Sequence, residues 1–186
     1  AGFEVVGFDQ RGFGKSEGTR GFMQNFDILL KDTEYFVKIV RETYPDSKLF
    51  LLGLSLGGLA SYAVSLSLKD DIAGCILMAP ALRSFHGSTS MYFAKFLKFL
   101  MPRSQVPKIG RGGKHGSRNP NVSELRRSDK YRYLDKPYIS TLSSTLEAID
   151  HYSQTFESFD KPVLLIQGAL DSSVDPEGTI DLYERC

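Results

Sequence analysis

The chain has 186 residues, of which 41% are hydrophobic and 24% charged, so its composition excludes a disordered protein and allows a sizeable buried core. The formal net charge is +1, which gives no electrostatic reason to expect nucleic acid as a partner. No apolar stretch approaches the roughly 18 residues of a membrane span. Two cysteines, Cys75 and Cys186, are too few for a disulfide framework, so we expect a reducing compartment such as the cytoplasm.

The first part of the chain alternates between a strand and a helix. Residues 3–8 are typical of a short strand, and residues 11–18 are typical of a turn-rich loop. Apolar residues on helical spacing then predict a helix of about five turns. Either Asn25 or Asp27 is suited to cap its start, and Pro45 marks its end.

Three further apolar runs predict a parallel sheet. Residues 48–53, 72–79 and 162–168 are short and continuously apolar, as strands buried on both faces are. A helix of small residues over 57–68 separates the first two runs, and a further helix begins near Pro176. Strands that alternate with helices in this way predict an α/β protein.

The alternation breaks down between the second and third apolar runs. Residues 88–101 and 138–156 are typical of helices, whereas residues 103–120 are rich in Gly, Lys, Arg and Pro and predict an extended loop. A long insertion between two buried strands predicts a cap over the sheet, which we assign to residues 82–160.

The segment Gly53-Leu54-Ser55-Leu56-Gly57 fits the pattern Gly-x-Ser-x-Gly between a buried strand and a helix. This context is the one that a nucleophile elbow requires, and it predicts Ser55 as a catalytic nucleophile. We expect Gly53 and Gly57 to be needed because side chains there would clash in the sharp turn. The N–H of Leu56 would face a developing oxyanion. The alternative is a Gly/Ser turn that only packs a helix on a strand.

Asp171 follows the third apolar run, where the acid of a Ser–Asp–His triad is expected. The alternative for Asp171 is a solvated turn residue. Asp175 precedes Pro176 and is better explained as a helix N-cap, so we prefer Asp171.

The histidines His86, His115 and His151 all precede Asp171. The triad histidine should follow the acid after one more strand, and the residues that remain after Asp171 fit a helix. We therefore expect the catalytic histidine to lie outside these 186 residues.

Nothing in the chain predicts a metal site, a cofactor or a nucleic-acid partner. Gly14-Lys15-Ser16 resembles part of a phosphate loop, but that motif requires Gly where Asp9 stands. The basic residues around Arg126 and Arg127 are better explained as a solvated face, given the net charge.

The first helix of the insertion is unusually apolar. Its residues Met91, Tyr92, Phe93, Phe96, Leu97, Phe99, Leu100 and Met101 surround Lys95 and Lys98. Such a helix suits an acyl tunnel or peripheral contact with a membrane surface. The alternative is a cap helix buried against the rest of the protein.

Four segments together resemble the monoacylglycerol lipase group of α/β-hydrolases, which overlaps the lysophospholipases and the serine aminopeptidase-type hydrolases. They are residues 9–18, residues 19–22, Gly-Leu-Ser-Leu-Gly-Gly58 and the segment that ends in Pro176. The resemblance covers nearly the whole chain. Its motifs are specific for the family and are not specific for a substrate.

The resemblance implies an α/β-hydrolase fold with a mostly parallel sheet, helices on both faces and a helical cap. The core would comprise residues 1–81 and 161–186, with strands missing at both ends. Ser55 matches the family nucleophile, Asp171 its acid and the Leu56 N–H one oxyanion donor. The second donor and the histidine would lie before residue 1 and after residue 186. Leu54 stands where the family often has His.

We therefore expect a serine hydrolase of carboxylic esters such as monoacylglycerol or lysophospholipid. An acyltransferase or peptidase of the same fold, or a binding module that lacks the histidine, remains an alternative. A serine nucleophile argues against the related dehalogenases and epoxide hydrolases. By this expectation the 186 residues alone are inactive.

Overall fold

The computed structural model describes residues 2–85, 88–106 and 119–186. Its elements in chain order are α1 Phe26–Thr43, β1 Phe50–Leu54, α2 Leu56–Ser67, β2 Gly74–Met78, α3 Ser88–Leu100, α4 Pro120–Ser128, α5 Ile139–Tyr152, a 3-10 helix Phe156–Ser158, β3 Val163–Ile166 and α6 Glu177–Arg185. The three strands predicted from continuous apolar runs are confirmed to within a few residues, as are the helices predicted over 57–68, 88–101 and 138–156. Helix α4 was not predicted. The loop predicted over 103–120 falls largely outside the described residues.

The three strands form one parallel sheet in the order β1-β2-β3. The chain crosses from β1 to β2 through α2 and returns from β2 to β3 through the long insertion. Such crossovers are what parallel pairing requires. The predicted α/β arrangement with a parallel sheet is therefore confirmed.

The core lies between the sheet and the helices that cover one of its faces. Helix α2 packs on β1 and β2, and its residues Leu59, Tyr62 and Val64 are completely buried. Cys75 of β2 is 2% exposed, and burial raises the pKa of its thiol, so Cys75 is a packed structural residue.

The opposite face of the sheet is open over the described residues. Phe50, Leu52 and Leu54 of β1 are 48%, 65% and 62% exposed, and Leu164 and Ile166 of β3 continue the same face. The prediction that β1 is buried on both faces is therefore wrong for the described part of the chain. Side chains alternate along a strand, and the described helices cover only the face that carries Leu51 and Gly53.

The strand predicted at residues 3–8 does not form. Residues 2–10 have no regular secondary structure, and the side chains of Phe3 and Val5 are 83% and 89% exposed. The ring of Phe8 lies 4.8 Å from the ring of Phe36 on α1. The prediction was wrong because an apolar run becomes a strand only beside a partner, and no described strand pairs with it.

Helix α1 begins and ends as its sequence predicts. Asn25 caps it, since the Asn25 Oδ1 accepts a hydrogen bond of 3.0 Å from the Ile28 N–H. The helix ends at Thr43, and the N–H of Tyr44 closes its last turn on the Val40 carbonyl. Four apolar residues on one side of α1 are buried: Phe26, Leu29, Val37 and Val40.

The insertion between β2 and β3 is attached to the core through α5. The Met23 N–H donates to Thr141 Oγ1 at 2.9 Å, and the Ser140 hydroxyl donates to the Gln24 carbonyl at 2.8 Å. Helix α3 packs on α5, where Lys98 Nζ lies 2.9 Å from Ser144 Oγ. These contacts fix α3 and α5 beside the segment that precedes α1, whereas the cap boundaries at 82 and 160 stay a prediction.

Candidate active site

The three strands end level with one another at the carboxyl edge of the sheet. Leu54, Met78 and Ile166 are register partners. Backbone hydrogen bonds between the strands continue one residue beyond these partners. The Ser55 N–H donates to the Met78 carbonyl at 3.0 Å, and the Ala79 N–H donates to the Ile166 carbonyl at 2.7 Å. This edge is where ligands bind in open α/β sheets.

Ser55 occupies a strained turn between β1 and α2. Its φ of 55° and ψ of −116° are rare for a residue with a side chain. The turn is held from both sides, because the Ser55 carbonyl accepts from the Leu59 N–H at 3.1 Å and from the Ala81 N–H at 3.0 Å. A strained backbone that the surroundings enforce is typical of a functional position.

The two glycines that flank this turn differ in what they permit. A Cβ at Gly53 would overlap the backbone carbonyl of Gly57 and lie 2.6 Å from Ser61 Oγ. A Cβ at Gly57 would meet no described atom within 4 Å, so the predicted clash at Gly57 is wrong. Gly53 is therefore close to the backbone carbonyl of Gly57, whereas the position of a side chain on Gly57 itself is open. A second close approach lies at Gly58, where a Cβ would be 2.9 Å from Pro80.

We expect Gly53→Ala to destabilise the full-length protein by about 3 kcal/mol, because the new methyl group must displace backbone. Gly57→Ala is the matched comparison, and we expect it to change the free energy of unfolding by less than about 1 kcal/mol. Urea unfolding of both variants measures the difference. Equal losses of unfolding free energy in the two variants would show that the close approach at Gly53 does not determine the shape of this turn.

Leu56 is the first residue of α2, so its N–H has no acceptor within the helix. The side chain of Ser55 does not cap the helix either. The Ser55 hydroxyl and the Leu56 N–H therefore stand together at the positive end of α2, where a negative oxygen is stabilised.

Asp171 lies in the loop between β3 and α6, at the same edge of the sheet. Its Oδ1 accepts hydrogen bonds from the N–H groups of Ser173 at 2.8 Å and Val174 at 3.1 Å. Its Oδ2 accepts from Gln167 Nε2 at 3.4 Å. The carboxylate is thus held by neutral donors, and no cation among the described residues neutralises it.

Asp175 is engaged in a different way. Its Oδ1 accepts from the Glu177 N–H at 3.2 Å at the start of α6, and its Oδ2 lies 3.3 Å from Arg83 Nε. Pro176 is the N-cap of α6, so the N-cap predicted at Asp175 is displaced by one residue, although Asp175 still accepts from the first N–H of the helix. The ion pair occupies the other oxygen of Asp175. This difference supports Asp171 as the acid, an assignment that stays a prediction.

With this geometry in place, comparison with known proteins gives the family. Residues 1–186 match the family described as serine aminopeptidase, S33. The chain belongs to that family. Mouse monoglyceride lipase is 28% identical over 97% of this chain and 60% of its own length. Caffeoylshikimate esterase of Arabidopsis thaliana is 26% identical over 99% of this chain and 58% of its own length.

Solved structures of hydrolases share the fold of this S33 family member. The monoacylglycerol lipase of Paleococcus ferrophilus superposes with a TM-score of 0.81 and 28% identity, over 96% of this chain and 67% of that structure. A soluble variant of the Saccharomyces cerevisiae monoglyceride lipase, solved with a substrate analogue, superposes with a TM-score of 0.79 and 20% identity. The α/β-hydrolase fold is therefore confirmed, and the chain spans about 60% of the curated relatives it matches.

No histidine of the described residues lies at the carboxyl edge in this S33 family chain. His151 is exposed near the end of α5, with its ring 4.8 Å from that of Tyr152. Tyr152 packs against Tyr62 in the middle of α2, about two helical turns beyond Ser55. His86 and His115 lie outside the described residues. A base supplied from outside these 186 residues stays a prediction.

Two residues at this edge were not predicted from sequence. Ala79, which follows β2, has a φ of 41°, although the proline after it favours an extended backbone. Gln167, which follows β3, contacts Asp171 and also accepts from the Thr179 hydroxyl at 2.9 Å. A local sequence pattern does not predict the role of either residue, because the positions of both are determined by partners on other segments.

Proposed function

We propose that the full-length protein is a serine hydrolase that cleaves the ester of monoacylglycerols through Ser55, Asp171 and a histidine outside these 186 residues. The observation that carries this proposal is the enforced backbone of Ser55, with φ 55°, at the same sheet edge as Asp171. One strand separates β1 from β3, so the two strand axes are about 10 Å apart, which leaves room for a third side chain between the two residues.

The proposed chemistry is acyl transfer. Ser55 Oγ attacks the ester carbonyl while the histidine takes its proton, and the Leu56 N–H donates to the developing oxyanion. The histidine returns the proton to the glycerol oxygen, the acyl–oxygen bond breaks and glycerol leaves. Water activated by the same histidine then hydrolyses the acyl-enzyme and releases the fatty acid. Asp171 orients the histidine throughout.

The relatives supply the substrate class of the proposal. Mouse monoglyceride lipase and the Paleococcus monoacylglycerol lipase are each 28% identical to this chain. A lysophospholipid presents the same kind of ester with a larger head group and is the second ester substrate to test.

Peptide hydrolysis is the second candidate, because the matching family is described as a serine aminopeptidase. An acyl-enzyme on Ser55 could form from an amide as well as from an ester. Steady-state assays on a monoacylglycerol and on an amino-acid anilide separate the two functions. We expect turnover of the monoacylglycerol to dominate.

The experiment uses the full-length protein. We expect it to react with a fluorophosphonate probe and to release fatty acid from a monoacylglycerol. Turnover of the anilide alone would favour the peptidase. A folded protein that neither reacts with the probe nor hydrolyses either substrate would contradict the proposal and favour a binding module.

We also propose that α3 contacts the surface of a membrane. No described helix is long and apolar enough to cross a bilayer. Phe93, Phe96 and Phe99 of α3 are 62%, 58% and 84% exposed, so α3 is not a helix buried against the core. Lys95 and Arg103 lie beside this apolar surface, as basic residues do on interfacial helices.

We expect Phe99→Glu, alone or with Phe96→Glu, to reduce co-sedimentation of the full-length protein with phospholipid vesicles about tenfold, because a charge enters the apolar surface. Leu125→Glu is the matched control, since Leu125 is 69% exposed on α4 of the same insertion. Unchanged co-sedimentation of the Phe99 variant would contradict membrane contact through α3.

The compartment proposed for this contact is the cytoplasmic side of a membrane. Cys75 is buried and Cys186 exposed, and both are free thiols. Free thiols are typical of proteins in a reducing compartment.

A further inference from the structure

We propose that Gln167 and Thr179 form a positioning pair that holds Asp171 in the orientation required by the catalytic histidine. This inference rests on the proposed function, because it assigns a role only if Asp171 is the acid of a triad. Neither residue would touch the substrate.

The pair links the end of β3 to the first turn of α6. Gln167 directly follows the last residue of β3, and Thr179 is the third residue of α6. The Thr179 hydroxyl donates to Gln167 Oε1 at 2.9 Å, and Gln167 Nε2 lies 3.4 Å from Asp171 Oδ2. Thr179 is 6% exposed, so its hydroxyl is fixed within the protein.

The chemistry of the three groups determines the direction of these hydrogen bonds. A carboxylate only accepts hydrogen bonds, so the amide nitrogen of Gln167 must face Asp171. The amide oxygen then faces Thr179 and needs a donor, which the hydroxyl supplies. Gln167 Nε2 also donates to the Gly168 carbonyl at 3.2 Å, and these two acceptors set the orientation of the amide. The Thr179 hydroxyl holds the amide in that orientation from its oxygen side.

This chain of contacts restrains the second oxygen of Asp171. The N–H groups of Ser173 and Val174 hold Oδ1, and Gln167 holds Oδ2. An oxygen has more than one acceptor site, so Oδ2 can still accept from a histidine N–H. The pair thus fixes the rotation of the carboxylate.

The first test removes the hydroxyl. In the full-length enzyme we expect Thr179→Val to lower kcat for monoacylglycerol about tenfold with little change in KM, because one buried hydrogen bond in the chain is lost. Thr179→Ser keeps the hydroxyl, and we expect it to restore most of kcat. Thr33→Val in α1 is the matched control, since among the described residues the Thr33 hydroxyl bonds to the Leu29 carbonyl of its own helix and to nothing near Asp171.

The second test changes the charge beside Asp171. We expect Gln167→Glu to move the acid limb of the kcat/KM profile to higher pH by about one unit, because an added negative charge stabilises the protonated histidine. Gln154→Glu adds the same charge at the end of α5, where Gln154 contacts the Asp150 carbonyl, and we expect it to leave the limb in place. The limb moves only if residue 167 lies close to the histidine, so an unmoved limb would place Gln167 away from it.

The possible outcomes distinguish a failure of the positioning role from a failure of the proposed function. An active wild-type enzyme with a lower kcat in Thr179→Val and a shifted limb in Gln167→Glu would support the positioning role. An active wild-type enzyme in which Thr179→Val keeps its kcat, or in which Gln167→Glu keeps its acid limb, would overturn the positioning role alone. A folded but inactive wild-type protein would overturn the positioning role together with the proposed function.

Discussion

Ser55→Ala in the full-length protein is expected to lower kcat for monoacylglycerol by about 10⁵–10⁶-fold, because the hydroxyl that forms the acyl-enzyme is lost. The Leu56 N–H remains, so residual turnover should still exceed the rate in water. Hydrolysis of a monoacylglycerol, followed by release of fatty acid, measures the change.

Ser67→Ala is the matched control on the same helix. The Ser67 hydroxyl contacts Glu34 and the Val64 carbonyl at the far end of α2. We expect this variant to keep activity within about threefold of the wild type, since a surface substitution of this kind has a small effect. If Ser55→Ala also kept its activity, Ser55 would be no more than a residue of a structural turn.

Asp171→Asn in the full-length protein is expected to lower kcat for monoacylglycerol about 10⁴-fold. The amide retains an oxygen that can accept from Ser173 and Val174, so the loop should keep its shape. Its NH2 group would face the position of the histidine and favour the tautomer that cannot take a proton from Ser55. Folding should be nearly unchanged while turnover collapses.

Asp175→Asn separates the two aspartates of this loop. It removes the charge that pairs with Arg83, whereas the amide oxygen can still accept from the Glu177 N–H, so a loss of stability of less than about 1 kcal/mol is expected. We expect kcat to stay within about threefold of the wild type. A larger loss of kcat in Asp175→Asn than in Asp171→Asn would reverse the assignment of the acid.

The parts of this fold that could be predicted are those determined by residues close to one another in the sequence. The turn at Ser55 follows from an apolar strand, a Gly-x-Ser-x-Gly pattern and a helix of small residues, all within 20 residues of chain. The cap at Asn25 and the end of α1 before Pro45 are likewise set by near neighbours.

The parts that were not predicted depend on residues distant in sequence. Residues 3–8 have the composition of a strand, but pairing requires a partner that composition does not specify. The exposed face of β1 shows the same limit, because a continuous apolar run does not tell which face the described helices cover.

The active-site details show this limit at the scale of single atoms. Gly53 and Gly57 are equivalent in the sequence pattern, yet only a Cβ at Gly53 would overlap backbone. The contact of Gln167 with Thr179 joins a strand end to a helix, and no periodicity or capping rule relates the two residues.

The location of the covalent adduct shows whether Ser55 is the nucleophile. Full-length protein is treated with a fluorophosphonate, digested and analysed by mass spectrometry, with Ser55→Ala treated in parallel. We expect one stoichiometric adduct on the peptide that contains Ser55, and none on the variant. An adduct on another serine, or an unmodified Ser55 in a folded protein that hydrolyses monoacylglycerol, would contradict this expectation.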